Sequence, residues 1–193
     1  MRRLAFRPLL GLWLIVAAAL PATAATRSYA LEAAGSSVAF SVAFGADTIT
    51  GTMPVLRSDL KIDFANVAAS RVAVDLDVTG AQASFPFASQ AMKGPRVLDA
   101  AEFPQISFTS TAITRDGDTA RIEGNLTVRG VTRPTVLTAR LYRPAGSSPQ
   151  DLDQLTVILD GALARSDFGA TGWSDMVGDT VHLTITAQIR ATT

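Results

Sequence analysis

The chain carries one imidazole, His182, and no thiol. A lone His could serve as a general base or as one metal ligand. Its segment, however, alternates polar and apolar residues, and His182 shares the polar set with Thr184, Thr186, Gln188 and Arg190. That places it on a solvated strand face. Asp75 and Asp77 are spaced to share a strand face, as paired carboxylates of a glycosidase could be. The polar side of a strand explains them as well. Asp47, Asp59, Asp63, Asp116 and Asp118 read as turn residues rather than a Ca²⁺ loop, since no bidentate Glu follows at the required spacing. There is no Gly-x-Ser-x-Gly elbow and no Gly-rich phosphate loop. Without Cys, disulfides, thiolate metal sites, a Cys nucleophile and a lipid-modified N-terminal Cys are all excluded. With one His, centres needing two imidazoles go too. Neither catalytic residues, a metal nor a cofactor is expected.

One cluster stands apart. Arg165-Ser166-Asp167-Phe168-Gly169 follows directly on an apolar run and precedes Gly172-Trp173. Arg165 could meet the anionic end of a ligand, with Phe168 and Trp173 beside it. Alternatively, Arg165 and Asp167 form a pair that closes the structure over Trp173.

The elements that must carry these residues are strands. From Val181 to Arg190 every odd position is apolar and every even one polar, the signature of a strand with one dry face. The same period runs through Val38, Phe40, Val42 and Phe44; through Val72, Val74, Leu76 and Val78; and through Ile122, Leu126 and Val128. Gly124 interrupts the last set, as a bend or a close approach would. Further strands are expected at Thr48–Met53, Leu60–Phe64, Gln105–Ile113, Thr135–Tyr142 and Thr156–Ala164. Asp116-Gly117 between alternating runs signals a hairpin. About eight or nine strands make a sandwich or a barrel, and short sequential hairpins favour an up-and-down barrel. An eight-stranded barrel is filled by its own side chains or holds one small ligand. The wall residues Phe40, Val42, Phe44, Phe108, Leu126 and Val128 are the candidate lining.

Residues 81–104 break the rhythm, with Pro at 86, 95 and 104. Val97–Phe103 could form a helical turn or two. Phe85, Phe87, Met92, Leu98 and Phe103 put five large apolar groups in this insertion. They read equally as a plug of ordinary core or as a lid over an apolar ligand.

The 17 basic and 17 acidic residues cancel, yet they are segregated. Arg2, Arg3 and Arg7 precede the apolar run Leu9–Leu20, Pro21 and the small-x-small site Ala22-Thr23-Ala24, and no acid appears before Glu32. This is the pattern of a secretory signal peptide over residues 1–24. An uncleaved anchor is the alternative reading of the same span. Cleavage leaves residues 25–193 as one domain with 14 basic against 17 acidic side chains. Such a domain is no nucleic-acid binder, and a bacterial periplasm suits an exported chain without disulfides.

Four stretches, in order, resemble the YceI-like family of exported polyisoprenoid-binding proteins. They are Ser28–Leu31 with Ser37–Val42; Val97–Thr111, where an acidic Phe-Pro step leads into Ile-x-Phe-x-Ser; Gly124–Pro134; and Arg165–Gly169 with Val177–Val181. The resemblance implies an all-β, lipocalin-like antiparallel barrel over 25–193, often dimeric, holding a long isoprenoid in its lumen without catalytic residues. The expected partners are therefore a long-chain isoprenoid or quinone-like lipid, a second copy of the chain, and a membrane touched transiently. Many members carry a charged, His-containing stretch before the central signature. Here residues 81–96 are Phe- and Pro-rich, with Lys93 and Arg96 as the only charges. A barrel filled by itself and acting as an interaction module, or an enzyme acting on a quinone or lipid phosphate, are the competing functions.

Overall fold

The computed structural model of the chain describes residues 26–192. The expected signal segment, 1–24, lies outside the described residues. Eleven strands follow one another: β1 Arg27–Leu31, β2 Ser37–Phe44, β3 Asp47–Met53, β4 Val55–Ile62, β5 Arg71–Asp77, β6 Gln82–Ala83, β7 Gln105–Asp116, β8 Thr119–Val128, β9 Val131–Tyr142, β10 Gln154–Ala164 and β11 Val177–Ala191. Among the described residues a single α-helix, α1 at Pro86–Lys93, lies between β6 and β7.

Eight of these strands close a ring, in the order β1-β4-β5-β7-β8-β9-β10-β11, every neighbouring pair antiparallel. From β7 to β11 the strands succeed each other as a plain meander, the up-and-down arrangement that their short turns dictate. Asp116-Gly117 makes the expected hairpin, with Gly117 at φ +58°. Closure depends on the length of β11. One edge pairs with β10 from Thr180 to Arg190. The other pairs with β2 between Val177 and Thr186, then with β1 between Ile189 and Ala191. β1 in turn pairs with β4, which seals the ring.

The wall is therefore built differently along its height. Toward one end it runs β11-β1-β4; toward the other it runs β11-β2-β3. β3 passes through Pro54 straight into β4, and the N–H of Asp77 donates to the Pro54 carbonyl at this corner (2.8 Å). Beyond the corner β3, unlike β4, does not pair with β5. The short β6 pairs there instead (Gly51 with Ala83) and leads into α1. An edge that would otherwise present bare backbone is in this way partly covered.

Two expectations are corrected. The helix of the insertion lies at Pro86–Lys93, not at Val97–Phe103. Pro86 occupies the first turn, where its missing N–H costs nothing, while Asp99 at φ +51° breaks any helix through 97–103 into turns. The strand expected at Leu60–Phe64 is the end of β4, which begins at Val55 and stops at Ile62. Exposed Leu56 and the charged Arg57 and Asp59 mask its alternation.

Candidate ligand-binding cavity

Register decides which side chains point inward. Val38, Phe40, Val42 and Phe44 of β2 lie opposite Ile185, Leu183, Val181 and Val177 of β11. Leu183 and Ile185 are in turn opposite Gly161 and Leu159 of β10. Side chains paired in this way share a face of the sheet, so from Val181 to Ile189 the odd-numbered residues of β11 look into the barrel. The even ones look out. His182 sits between Ala162 and Ser41 on the outer, exposed face, where it has no access to the interior.

The interior is hollow. A cavity of about 380 Å³ runs from Leu31, Leu60 and Ile62 at one end to Phe85, Phe87, Trp173 and Met176 at the other. That volume is within the range of sites that accept a small ligand. A self-filled barrel is therefore not what the chain builds. The cavity surface is almost wholly apolar, its few polar contributors being residues such as Ser58 and Thr135. Beneath the Leu60 end Tyr29 packs in the core with Leu60, Leu155 and Ile189, and its ring meets Phe64 edge-on (5.9 Å between centroids). The Tyr29 hydroxyl donates to the Leu152 carbonyl (2.9 Å), and burial pushes its pKa up.

Thirteen of the fourteen candidates border this cavity: Phe40, Val42, Phe44 and Phe108 with Leu126 and Val128 from the wall; Phe85, Phe87, Met92 and Leu98 from the insertion; Arg165, Phe168 and Trp173 from the segment after β10. Phe103 does not. Its ring packs outside against Gly130, which turns the chain from β8 to β9 at φ +73°. Alternation could have named further lining residues that the reading above passed over, such as Ile49, Leu137, Val157 and Leu159. Nothing in the sequence marks Met176 as part of the mouth.

α1 presents Ala88, Ala91 and Met92 to the cavity, the three- and four-residue spacing of one helix face. The insertion thus roofs the opening, and its Met92 and Leu98 also pack against the core around Val78, Ile106, Leu126 and Phe168. Its aromatic side chains reach the rim. Phe85 lies 6.3 Å from Phe44, and Phe87 meets Trp173 edge-on at 6.2 Å. The Arg96 guanidinium stands over the Trp173 ring at 5.2 Å. Phe87 remains 65% exposed and Met176 45%.

Arg165 and Asp167 do not pair. In the short 3₁₀ turn Arg165–Phe168 they are two residues apart and face different ways; Asp167 is exposed, whereas Arg165 is only 8% exposed. Arg165 instead donates to four backbone carbonyls: Nε to Gly178 (2.9 Å), Nη1 to Ala170 and Gly172, and Nη2 to Val177 (2.9 Å). The guanidinium fork thereby gathers the loop between the turn and β11 around itself. A second latch joins the same two segments. Asp179 accepts from the Ser166 hydroxyl (2.7 Å) and the Ser166 N–H (2.9 Å). These bonds, the hydroxyl's first, hold its carboxyl below the usual carboxylate range. Arg129 ties the insertion in, donating to the carbonyls of Pro95 and Gly169. With His182 and Asp167 outside and Arg165 committed to carbonyls, the cavity offers a binding surface rather than an array of ionisable groups. Among the described residues no three His, Asp or Glu side chains gather in a group fit for a metal.

Comparison with known proteins agrees with this geometry. A family profile described as YceI-like domain matches residues 29–189. The chain is 29% identical over 127 residues to Protein YceI of Salmonella arizonae and equally to that of Salmonella heidelberg. The match spans 66% of this chain and 66% of those relatives' own length. Among solved structures, BcnA of Burkholderia cenocepacia superposes with a TM-score of 0.74 at 20% identity, covering 82% of this chain and 99% of that one. A polyisoprenoid binding domain from Saccharophagus degradans does so with a TM-score of 0.62 at 12% identity, covering 86% and 99%. At these identities the likeness is one of fold.

Proposed function

Because the chain belongs to the YceI-like family and encloses an apolar cavity, we propose that it is an exported, periplasmic carrier of an isoprenoid or similar long-chain apolar lipid. The observation that carries this reading is the lining: a cavity of about 380 Å³ whose walls are almost entirely hydrocarbon. Such a surface has nothing to offer a polar substrate. For an apolar chain it is favourable at ~0.8 kcal/mol per buried CH₂, so ~20 carbons provide on the order of 16 kcal/mol before ordering costs. The Saccharophagus degradans neighbour, described as polyisoprenoid-binding, supports the choice of lipid. Export rests on residues 1–24, with their basic start, apolar run and Ala22-Thr23-Ala24 site. Purification from its native envelope, solvent extraction and mass spectrometry should return a long-chain isoprenoid at near one per chain. Well-folded protein that yields no lipid would overturn the reading.

A carrier must also take its cargo from a membrane. The exposed rim of Phe85, Phe87 and Met176 at the cavity mouth is suited to a brief contact with a bilayer surface. Phe87→Ser should slow lipid uptake from vesicles several-fold while weakening the affinity for detergent-dispersed lipid far less, since Phe87 borders the cavity yet is 65% exposed. Equal uptake rates for variant and wild type would place the point of entry elsewhere.

A further inference from the structure

Three glycines stand on the inner face of the wall where alternation calls for a side chain. Gly51 of β3 is opposite Phe40, Gly161 of β10 is opposite Leu137 and Leu183, and Gly124 of β8 is opposite Ser110 and Thr135. None has a positive φ, so backbone conformation does not demand glycine at any of them. Space does. A Cβ at Gly51 would fall 2.2 Å from Cζ of Phe40, at Gly124 2.4 Å from Cζ of Phe108, and at Gly161 2.5 Å from Cδ2 of Leu137. Three of the larger lining side chains therefore occupy the places of absent ones. An aromatic side chain laid over a glycine of the neighbouring strand is a known way of rescuing that glycine in a sheet, and glycine within a strand marks close approach. The consequence for the lumen is geometric: each of these side chains lies along the wall instead of crossing the bore.

We propose that Gly51, Gly124 and Gly161 set the bore of the cavity, seating Phe40, Phe108 and Leu137 flat so that a methyl-branched chain fits where a straight one would suffice with less room. The proposal rests on the lipid-carrier reading above and names the residues that select among its ligands. A straight alkyl chain has the cross-section of one methylene, whereas an isoprenoid carries methyl groups to one side at regular intervals. A Cβ added beneath any seated side chain tilts it inward and removes about a methyl's width.

Gly161→Ala is the informative variant. Its new Cβ meets the end of the flexible Leu137 side chain, and the nearest backbone atom, the Val136 oxygen, is 3.2 Å away. At Gly124 and Gly51 backbone oxygens of Thr109 and Gln82 lie at 2.6 and 2.3 Å, so the same change there would disturb strand pairing as well. The delipidated protein is titrated calorimetrically with farnesol and with 1-dodecanol, whose main chains are equally long. Gly161→Ala should weaken farnesol binding about tenfold, the discrimination that one methyl-sized misfit gives in an apolar pocket, and dodecanol binding less than about twofold. Adding Leu137→Ala should restore farnesol, and this double variant carries the comparison should the single one fail to fold. Equal losses for both alcohols, no loss for either, or no rescue would overturn the proposal. Wild-type protein that binds neither alcohol would overturn the carrier reading itself, an outcome distinct from wild-type binding with an indifferent Gly161→Ala.

Discussion

Arg165→Met is expected to lower the unfolding free energy by about 3–5 kcal/mol. The reason is the number of acceptors it orphans. Four carbonyls, of Ala170, Gly172, Val177 and Gly178, share one guanidinium that is only 8% exposed. Methionine keeps much of the volume and removes every donor. Water at the cavity mouth can repair part of the loss, which keeps the figure below the sum of four charge-assisted bonds. For a domain of this size the effect corresponds to a melting temperature lower by roughly 10 °C. Arg165→Lys should recover less than half of it, because one ammonium cannot reproduce a planar fork that binds carbonyls on several sides. Arg140→Met is the control: its ion pair with Asp160 (3.3 Å) is exposed on both sides and is worth about 0.5 kcal/mol. Thermal denaturation followed by circular dichroism decides the matter. A loss of under 1 kcal/mol for Arg165→Met would mean that the loop between the 3₁₀ turn and β11 holds itself.

That same residue marks the boundary of what the sequence makes legible. Proximity in sequence suggests Arg165 with Asp167, since opposite charges two apart look like a pair. Yet a 3₁₀ turn sends them in different directions, and the true partners are carbonyls up to 13 residues away. A carbonyl acceptor leaves no trace in residue type. The strands are a different case. Alternation through Val181–Arg190 is a local property, and it places His182 outside and Leu183 and Ile185 inside without knowledge of any neighbour. The division of the other edge of β11 between β2 and β1 is a long-range choice, invisible to any window of sequence. So is the hollowness, which is a difference between the girth of an eight-strand ring and the volume of the side chains pointing into it.

The insertion shows why a helix can be misplaced by a few residues. Three prolines read as interruptions, and Val97–Phe103 reads as helical turns because it ends just before Pro104. Pro86 is in fact a starter, and Gly94 and Pro95 end the helix it starts. Gly124 was readable as a close approach, and the approach is that of the Phe108 ring. Gly51 and Gly161 carry the same meaning but lie in runs whose alternation they barely disturb.

Leu183→Glu should abolish lipid binding, lowering affinity by more than about a hundredfold, while His182→Glu, one residue away, should leave it unchanged. Both positions belong to β11 and both substitutions add one carboxylate. Leu183 lies opposite Phe40 and Gly161 on the cavity wall; His182 lies opposite Ser41 and Ala162 on the exposed face. In the empty barrel the introduced carboxylate can keep water around it, so the fold should survive. A hydrocarbon chain entering the cavity must strip that water, and desolvating a charge without a partner costs several kcal/mol. Burial disfavours the charged form, so the introduced carboxyl titrates above the ordinary glutamate value of about 4.3. Its penalty is absent below that value and grows as pH rises past it, up to the raised pKa of the lipid-bound state. Lipid binding by Leu183→Glu should accordingly recover in part toward acid pH, and binding by His182→Glu should show no such trend. Titration with a fluorescent long-chain lipid at several pH values measures both. Equal losses at the two positions would mean that the lipid does not enter the barrel; no loss at either would place its site outside the lumen altogether.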